Sequence, residues 1–513
     1  MKPMTESKTI KQTFIVENQQ TVALNKIPVL GYDDFFKLAA DLLSSESTHC
    51  LGYYAFVNGK TLKFICAIAN DAQKNIELLS HELKDKSIDL KSLAAVHLSM
   101  HIFEREISEN WGIHFLDHPW PKPVRYPFDR NDNTATINSY PFYKIESNEL
   151  HEVGVGPIHA GVIEPGHFRF QCNGETVLHL EIQLGWQHRG VESLFLTKKK
   201  LIQRTVLAES IAGDTAIGHN LAFCHLLESL GGLEVSNELN FQRAIGLELE
   251  RIAVHVGDLS AMCTDVAYQL GNAAYGALRT PVINFTQTWC GNRFGKGLIR
   301  VGGAHYALTN ELIQKLKILL DDFETRFLEI SDRTFNLPSV LKRFEGIGGV
   351  SKKQILMIGG VGMVARMAGV KRDTRWSHPF GGYKNLGLEP VIENKGDVLA
   401  RGLVRRREVV QSISIIRLLM DKLDLNVTLA APLKANDLKL APNSLAISVT
   451  EGWRGEICHM AVTDAKGELL HYKVKDPSMH NWKSLELSLR DLEISDFPIN
   501  NKSYDLSYCG HDL

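Results

Sequence analysis

The sequence has no CxxC pair. Its eight cysteines stand apart, at 50, 66, 172, 224, 263, 290, 458 and 509, so no thiolate metal or cluster site is written locally. Cysteines so scattered also argue against a disulfide framework and for a reducing compartment. No apolar run reaches the ~20 residues that cross a bilayer. The most apolar stretch, 355–370, carries Arg366 and several glycines, so any membrane role needs another subunit to span the lipid. The opening MKPMTESKTI lacks a basic segment followed by an apolar core, so neither a secretory signal nor a transit peptide is read and a cytosolic location is expected. No GxGxxG phosphate loop is present, which assigns any nucleotide oxidation to another subunit. Excess charge of one sign is missing too: 57 Lys and Arg against 59 Asp and Glu give a net charge of -2, which excludes a nucleic-acid-binding surface.

What is present is ordinary folded-protein composition, 44% hydrophobic and 23% charged, in 513 residues. At about 150 residues per domain that length suggests roughly three units. Asn58-Gly59 lies between two β-rich runs and predicts an antiparallel hairpin; Asn173-Gly174 predicts a second, and VTDAKGELLHYKV a third. SLAAVHLSMHIFEREISENWG repeats apolar residues at helical spacing, with Leu93, Val96, Met100, Phe103 and Ile107 on one face. Pro119, Pro121, Pro123 and Pro127 then forbid regular helix and predict an extended connector. Segments 197–230, 240–279, 306–332 and 396–424 carry three- and four-residue apolar spacing, the pattern of a helical bundle core. NWKSLELSLRDL adds a further helix pattern near the end.

Several clusters could bear chemistry. His97, His101 and Glu104 sit at metal-compatible helical spacing, but without an HExxH pattern or a further ligand they define no metal site. The loop GVGPIHAGVIEPGHFRF gathers His159, Glu164 and His167, groups that exchange protons near neutral pH when buried or paired. The basic runs RGLVRRR (Arg401, Arg405, Arg406, Arg407) and TKKK (Lys198 to Lys200) read as solvated helix faces that could dock an acidic partner.

In their order along the chain these segments resemble the family of nickel–iron hydrogenase large subunits and the 49 kDa, quinone-site subunit of respiratory complex I. FEREISENWGIHFLDHP, with Glu104, Arg105, Glu106, Gly112, Ile113, Phe115, His118 and Pro119, resembles the complex I 30 kDa subunit that is often fused upstream. GPIH, EPGHFRF, GWQHRGVESL, ERIAVHVGDLSAMCTD, RDTRWSHPF, GDVLARGLVRRREVVQS and WRGEICH resemble the large subunit. The resemblance implies an α+β fold: a small N-terminal α+β domain over 1–130, a linker at 131–150, and a mainly helical domain with peripheral antiparallel hairpins over 151–513.

It also implies a metal test. The family's four thiolates would fall at Ala212, Thr215, Ser507 and Gly510, with Cys509 one position out of register. Soft thiolates select nickel and iron, so no metal and no other cofactor bound by this chain is expected. The cysteine-then-histidine ending that hydrogenases process is also missing, so Leu513 is expected as the native end. What the resemblance retains is the complex I template, in which the vacated metal cavity lies beside an iron–sulfur cluster on a partner subunit. Arg189 and His255 are then expected to face that cluster, and Asp265 to stand as a carboxylate partner of the loop histidine. Glu164, His167, His219 and Asp265 are expected to form a proton or redox linkage. Quinone is a candidate acceptor, although the complex I tyrosine that holds its headgroup falls here at about Gly213.

The implied role is a catalytic-type large subunit of a membrane-bound, ion-translocating oxidoreductase of the energy-converting hydrogenase-related kind. It would lie on the cytoplasmic face of the plasma membrane, between an iron–sulfur small subunit and proton-channel-type membrane subunits. A complex I type NADH:quinone oxidoreductase subunit and a non-catalytic adaptor retaining the fold are the alternatives.

Overall fold

The computed structural model describes residues 13–434 and 437–513. The leader reading of residues 1–10 lies outside them. The architecture is mixed helix and antiparallel sheet, the α+β class expected.

All three predicted hairpins form. Thr48–Asn58 pairs with Thr61–Asn70 across Asn58-Gly59, His167–Asn173 with Thr176–Gln183 across Asn173-Gly174, and Glu456–Thr463 with Leu469–Lys475. In the first sheet Asn75–Leu83 continues the meander and takes Phe14–Val16 and Val29–Leu30 on its far edge. Its inner face packs on the sheet formed by Ser444–Glu451, Glu456–Thr463 and Leu469–Lys475, with Tyr54, Phe56 and Ile65 meeting Ile447, Val449 and Met460.

The predicted helical core is built from Ala216–Gly231, Asn237–Asp265, Gln269–Cys290, Asn310–Asn336 and Val398–Lys422. Three of these starts have a side-chain cap. Ser236 Oγ accepts the Leu239 N–H, Thr309 Oγ1 the Leu312 N–H and Asp397 Oδ1 the Ala400 N–H, filling donors that a first turn leaves open. Among the described residues no helix is long and apolar enough to cross a membrane.

Two expectations change. The helix read from Ser92 onward begins only at His101; residues 93–95 and 98–100 are tight 3-10 turns, so His97 precedes the helix and shares no face with His101. Glu104 turns inward instead, accepting from Ser92 Oγ at 2.6 Å and the Leu93 N–H at 2.7 Å. Arg401 and Arg405 are fully buried, not solvated: Arg401 lies 4.1 Å over the Tyr504 ring and donates to Asn500, and Arg405 pairs with Asp258. Lys198 to Lys200 are exposed as read. The expected linker at 131–150 is irregular apart from one 3-10 turn, yet the N-terminal unit is not self-contained. Thr21–Ala23 leaves it to pair with Ser444–Glu451, in the register Ser444↔Ala23 to Ala446↔Thr21.

Candidate functional site

Two of the four ligand-equivalent positions, Ser507 and Gly510, lie in the C-terminal tail, and the other two, Ala212 and Thr215, in the segment that Arg189 ties to it. After Asp505, in the left-handed region at φ 48, the chain turns into the short helix Tyr508–Asp512, whose cap is Ser507 Oγ accepting the Gly510 N–H at 2.9 Å. The tail is pinned from the GWQHRG segment: the Gly185 and Gln187 N–H groups both donate to the Asp512 carboxylate at 2.8 Å, and the Arg189 N–H to Leu513 O at 3.0 Å. Facing it, residues 209–215 lead into the buried helix Ala216–Gly231. Arg189, exposed, ties the two sides by donating to Ser210 O at 2.7 Å, Ile211 O at 2.9 Å and Cys509 O at 3.5 Å.

The floor is the turn between Glu451 and Glu456. Trp453 Nε1 donates to Thr215 Oγ1 at 3.1 Å, and Arg454 reaches up in a two-bond fork to Asp214, both at 2.7 Å, and to Asp505 O at 2.5 Å. A guanidinium in this position is bound by carboxylates, the bidentate geometry it favours. Beside it, Asp476 accepts from the Ser478 N–H at 2.7 Å and pairs with His219 Nε2 at 2.9 Å. His219 Nδ1 lies 3.1 Å from His459 Nε2, and His459 Nδ1 lies 2.7 Å from Tyr472 Oη. One set of roles satisfies every atom: Tyr472 donates to His459, His459 to His219 and His219 to Asp476. Burial opposes the charge on Asp476, but the His219 hydrogen bond and the Arg454 charge hold its carboxyl below the ordinary range.

A second acidic pair closes the far side. Asp258 accepts from Arg405 Nε at 2.9 Å and lies against Asp505, which Lys502 holds at 2.7 Å. Burial, and then the charge of Asp505, push the Asp258 carboxyl up to about 8, so the pair holds one proton at neutral pH.

These residues do not fit a nickel–iron centre. A methyl group, two hydroxyls and a bare Cα replace four thiolates, and a buried guanidinium stands among them. A Cβ at position 510 would stand 2.6 Å from the Asp476 carboxylate.

Of the residues singled out from sequence, His219 is central and Arg189 forms the rim. Glu164 is exposed at the rim, its Oε2 3.4 Å from the Cys509 N–H. His167 turns away, half-buried with its ring 5.0 Å from Phe142, into a separate cavity of about 530 Å³. Asp265 ends its helix on the surface and does not pair with a loop histidine; Asp258, two turns earlier, is the carboxylate that reaches the site. His255 does not face the surface. It is wholly enclosed, bonded through Nε2 to Glu408 at 2.8 Å, and meets the site only through the edge of Trp453, at 5.9 Å between ring centres. Asp214, Arg454, Asp476, His459 and Tyr472 were not singled out from sequence. Arg454 and His459 stand in the quoted WRGEICH segment and were legible there; Asp476 follows the strand Leu469–Lys475 and carries no spacing signal.

This fold and this cavity define a large subunit of the hydrogenase and complex I type. Residues 273–442 match the family "Respiratory-chain NADH dehydrogenase, 49 Kd subunit". The carbon monoxide-induced hydrogenase of Rhodospirillum rubrum is 30% identical over 355 residues, 69% of this chain and 96% of that protein. Formate hydrogenlyase subunit 5 of Escherichia coli K12 is 27% identical over 424 residues, 79% of this chain and 74% of that protein. A chain in the structure of the membrane-bound sulfane sulfur reductase, an archaeal respiratory membrane complex, shares the fold at a TM-score of 0.65 and 23% identity, over 72% of this chain and all of that one. The chain belongs to the family that unites hydrogenase large subunits with the 49 kDa subunit of complex I.

Proposed function

We propose that this chain is the peripheral large subunit of a membrane-bound, ion-translocating oxidoreductase in which the former metal cavity exchanges protons and binds no metal. The observation that carries the reading is the Tyr472–His459–His219–Asp476 chain ending against Ser507 and Gly510, where the family's thiolates would stand. A membrane-bound hydrogenase subunit among its relatives and a chain of an archaeal respiratory membrane complex among its fold neighbours support partners in the membrane. The finer assignments are an iron–sulfur subunit docked over Arg189 and the tail, proton-channel-type subunits on the membrane side, and a position on the cytoplasmic face.

In this reading, a change of charge on the partner's cluster is felt first at Arg189 and at the carbonyls it holds. Proton shifts along His219, Asp476 and the Asp258–Asp505 pair compensate it, because a buried site tolerates little unbalanced charge. Gly213, at the position of the complex I tyrosine, offers no group to a quinone there.

The test uses the native complex in sealed vesicles. Asp476→Asn should leave assembly and electron transfer in place while lowering ion translocation per electron, and metal analysis should find no stoichiometric nickel. Translocation at the parent's ratio in Asp476→Asn would overturn the linkage, and stoichiometric nickel would overturn the metal-free cavity.

A further inference from the structure

Beyond the tail cavity, on the other side of Trp453, lies a second and fully desolvated set of charges that the proposed function does not use. The helices Asn237–Asp265 and Val398–Lys422, the short helix Met363–Arg366, residues 372–375 and the end of strand Ser444–Glu451 enclose it. Its cations are Arg251, Arg366 and Arg375; its acids are Glu248, Asp373, Glu408 and Glu451, none more than 1% exposed. Three positive charges face four negative ones. An unpaired charge so deep in a protein is normally removed by binding a proton.

The bonds say where that proton goes. Glu408 is saturated as a carboxylate: Arg366 donates twice to Oε1, at 2.9 and 2.6 Å, and His255 Nε2 to Oε2 at 2.8 Å, with Arg251 at 3.6 Å. Asp373 is gripped by Arg375 at 3.1 and 2.7 Å. Glu248 takes Tyr383 and Ser412 at 2.5 Å each, and Arg251 and Arg375 at 3.2 Å. Glu451 is the least supplied. Oε1 has a single guanidinium nitrogen, Arg366 Nη1 at 2.7 Å, which also donates to Arg372 O and lies 3.7 Å from Asp373; Oε2 has the Thr374 N–H at 2.9 Å. His255 is the other candidate, but its Nδ1 has no partner, and a second ring proton would be buried without an acceptor.

We propose that Glu451 is a buried proton-binding site that carries the odd proton of this cluster and releases it reversibly, with His255 held neutral. Arg251, Arg366, Asp373, Glu248, Glu408, His255 and, past the turn, Arg454 are the charged and titratable groups that face it. Titration agrees with the geometry. Burial, then the Asp373 charge, raise the Glu451 carboxyl to about 7, while burial lowers His255 to about 4. On Glu408, burial favours the protonated form, but Arg366 and His255 outweigh it and hold the carboxyl well below its ordinary value. The site is independent of the proposed role of the tail cavity, since it rests only on groups inside this chain.

A neutral carboxylic acid and an amide are close in shape and hydrogen bonding, so substitution tells the two acids apart. The measurement is infrared difference spectroscopy between about pH 6 and about pH 9 on the chain in its native assembly, in H2O and D2O. A deuterium-sensitive protonated-carboxyl band should vanish in Glu451→Gln, persist in His255→Gln and persist in Asp258→Asn. Glu451→Gln should melt within about 2 °C of the parent, whereas Glu408→Gln, which removes a needed charge, should melt well below it. A band set that Glu451→Gln leaves intact, or one that His255→Gln abolishes, would overturn the assignment. So would a Glu451→Gln chain that fails to fold, because that would show the ionised carboxylate to be required.

Discussion

The Asp476 carboxylate fills the volume that a side chain on Gly510 would need. A Cβ there would stand 2.6 Å from Asp476 Cγ and Oδ2 and 2.9 Å from Ser507 Oγ. Asp476 is itself fixed by His219 and the Ser478 N–H, so it cannot swing aside without losing both bonds. The missing thiolate and the buried His–Asp pair are therefore one structural fact.

Gly510→Cys should accordingly destabilise the chain by about 1–3 kcal/mol through overpacking. Combining it with Asp476→Ser should cost less than the sum of the two single changes, because the serine clears the space. Denaturant titration of the three variants gives the coupling; strict additivity would mean that the two positions do not contend for the same volume.

Arg454→Met leaves Asp214 and Asp505 without their shared cation. The expected cost is about 2–4 kcal/mol, below the full penalty for a broken buried pair because the Asp214 side chain is 37% exposed. Arg454→Lys should recover only part of it, since an ammonium cannot form the fork. Equilibrium unfolding of both variants checks the order.

The Asp258 carboxyl, raised to about 8 by burial and by Asp505, makes stability depend on pH with a definite sign. Below the unfolded value of about 3.9 both states are protonated and the contribution is complete. Between there and about 8 the folded state holds more protons, so stability falls as pH rises, and it levels off above. Asp258→Asn should make the fall of melting temperature between about pH 5 and about pH 8 shallower, leaving the part that Glu451, raised to about 7, contributes. A slope as steep as the parent's in that variant would place the Asp258 proton elsewhere.

Gly213 faces open space, with nothing within 4 Å of a Cβ built there. Gly213→Tyr should thus fold with a stability change within about 0.5 kcal/mol, as exposed surface changes usually do. A large loss on thermal melting would show that the loop cannot carry a side chain.

His49 Nε2 meets Glu456 at 2.6 Å, and Lys475 meets the same carboxylate at 2.8 Å, where the first sheet crosses onto the last. Glu456→Gln should cost about 3–5 kcal/mol by leaving the lysine buried and unpaired. It should also speed amide exchange in Thr21–Ala23 and Ser444–Glu451 before the helical core opens. Uniform exchange across the chain would contradict a locally held seam.

The elements that sequence made legible are those whose signals are local. Asn-Gly turns fixed the hairpins at 58–59 and 173–174, and periodicity located Asn310–Asn336 and Val398–Lys422 to within a turn, whereas the segments 197–230 and 240–279 each ran across a break between separate helices. The helix at 92–111 was overextended because apolar spacing does not register that residues 93–100 turn tightly around the Glu104 carboxylate. Within RGLVRRR, Arg401 and Arg405 were misread for the opposite reason, while Arg407 is exposed as read: an arginine pattern looks solvated until the chain supplies Asp258, Asn500 and Tyr504 from 99 to 147 residues away. The same holds for the site. His219 and Arg189 were found in family segments and His459 stands at the end of another, WRGEICH, but Asp476 carries no motif and reaches the site only because the chain follows the strand Leu469–Lys475 back to it.

The pairing of Thr21–Ala23 with Ser444–Ala446 sets a timetable for the ribosome. About 420 residues separate the partners, which at typical elongation rates means roughly 20–80 s between their synthesis. Through that interval the early strand has no ladder to join and the first sheet lacks the surface that covers Tyr54, Phe56 and Ile65. The nascent chain therefore carries an open edge and an uncovered apolar face until its last fifth emerges, and a chaperone that shields extended apolar segments has its longest task at the start of this protein, not at its end.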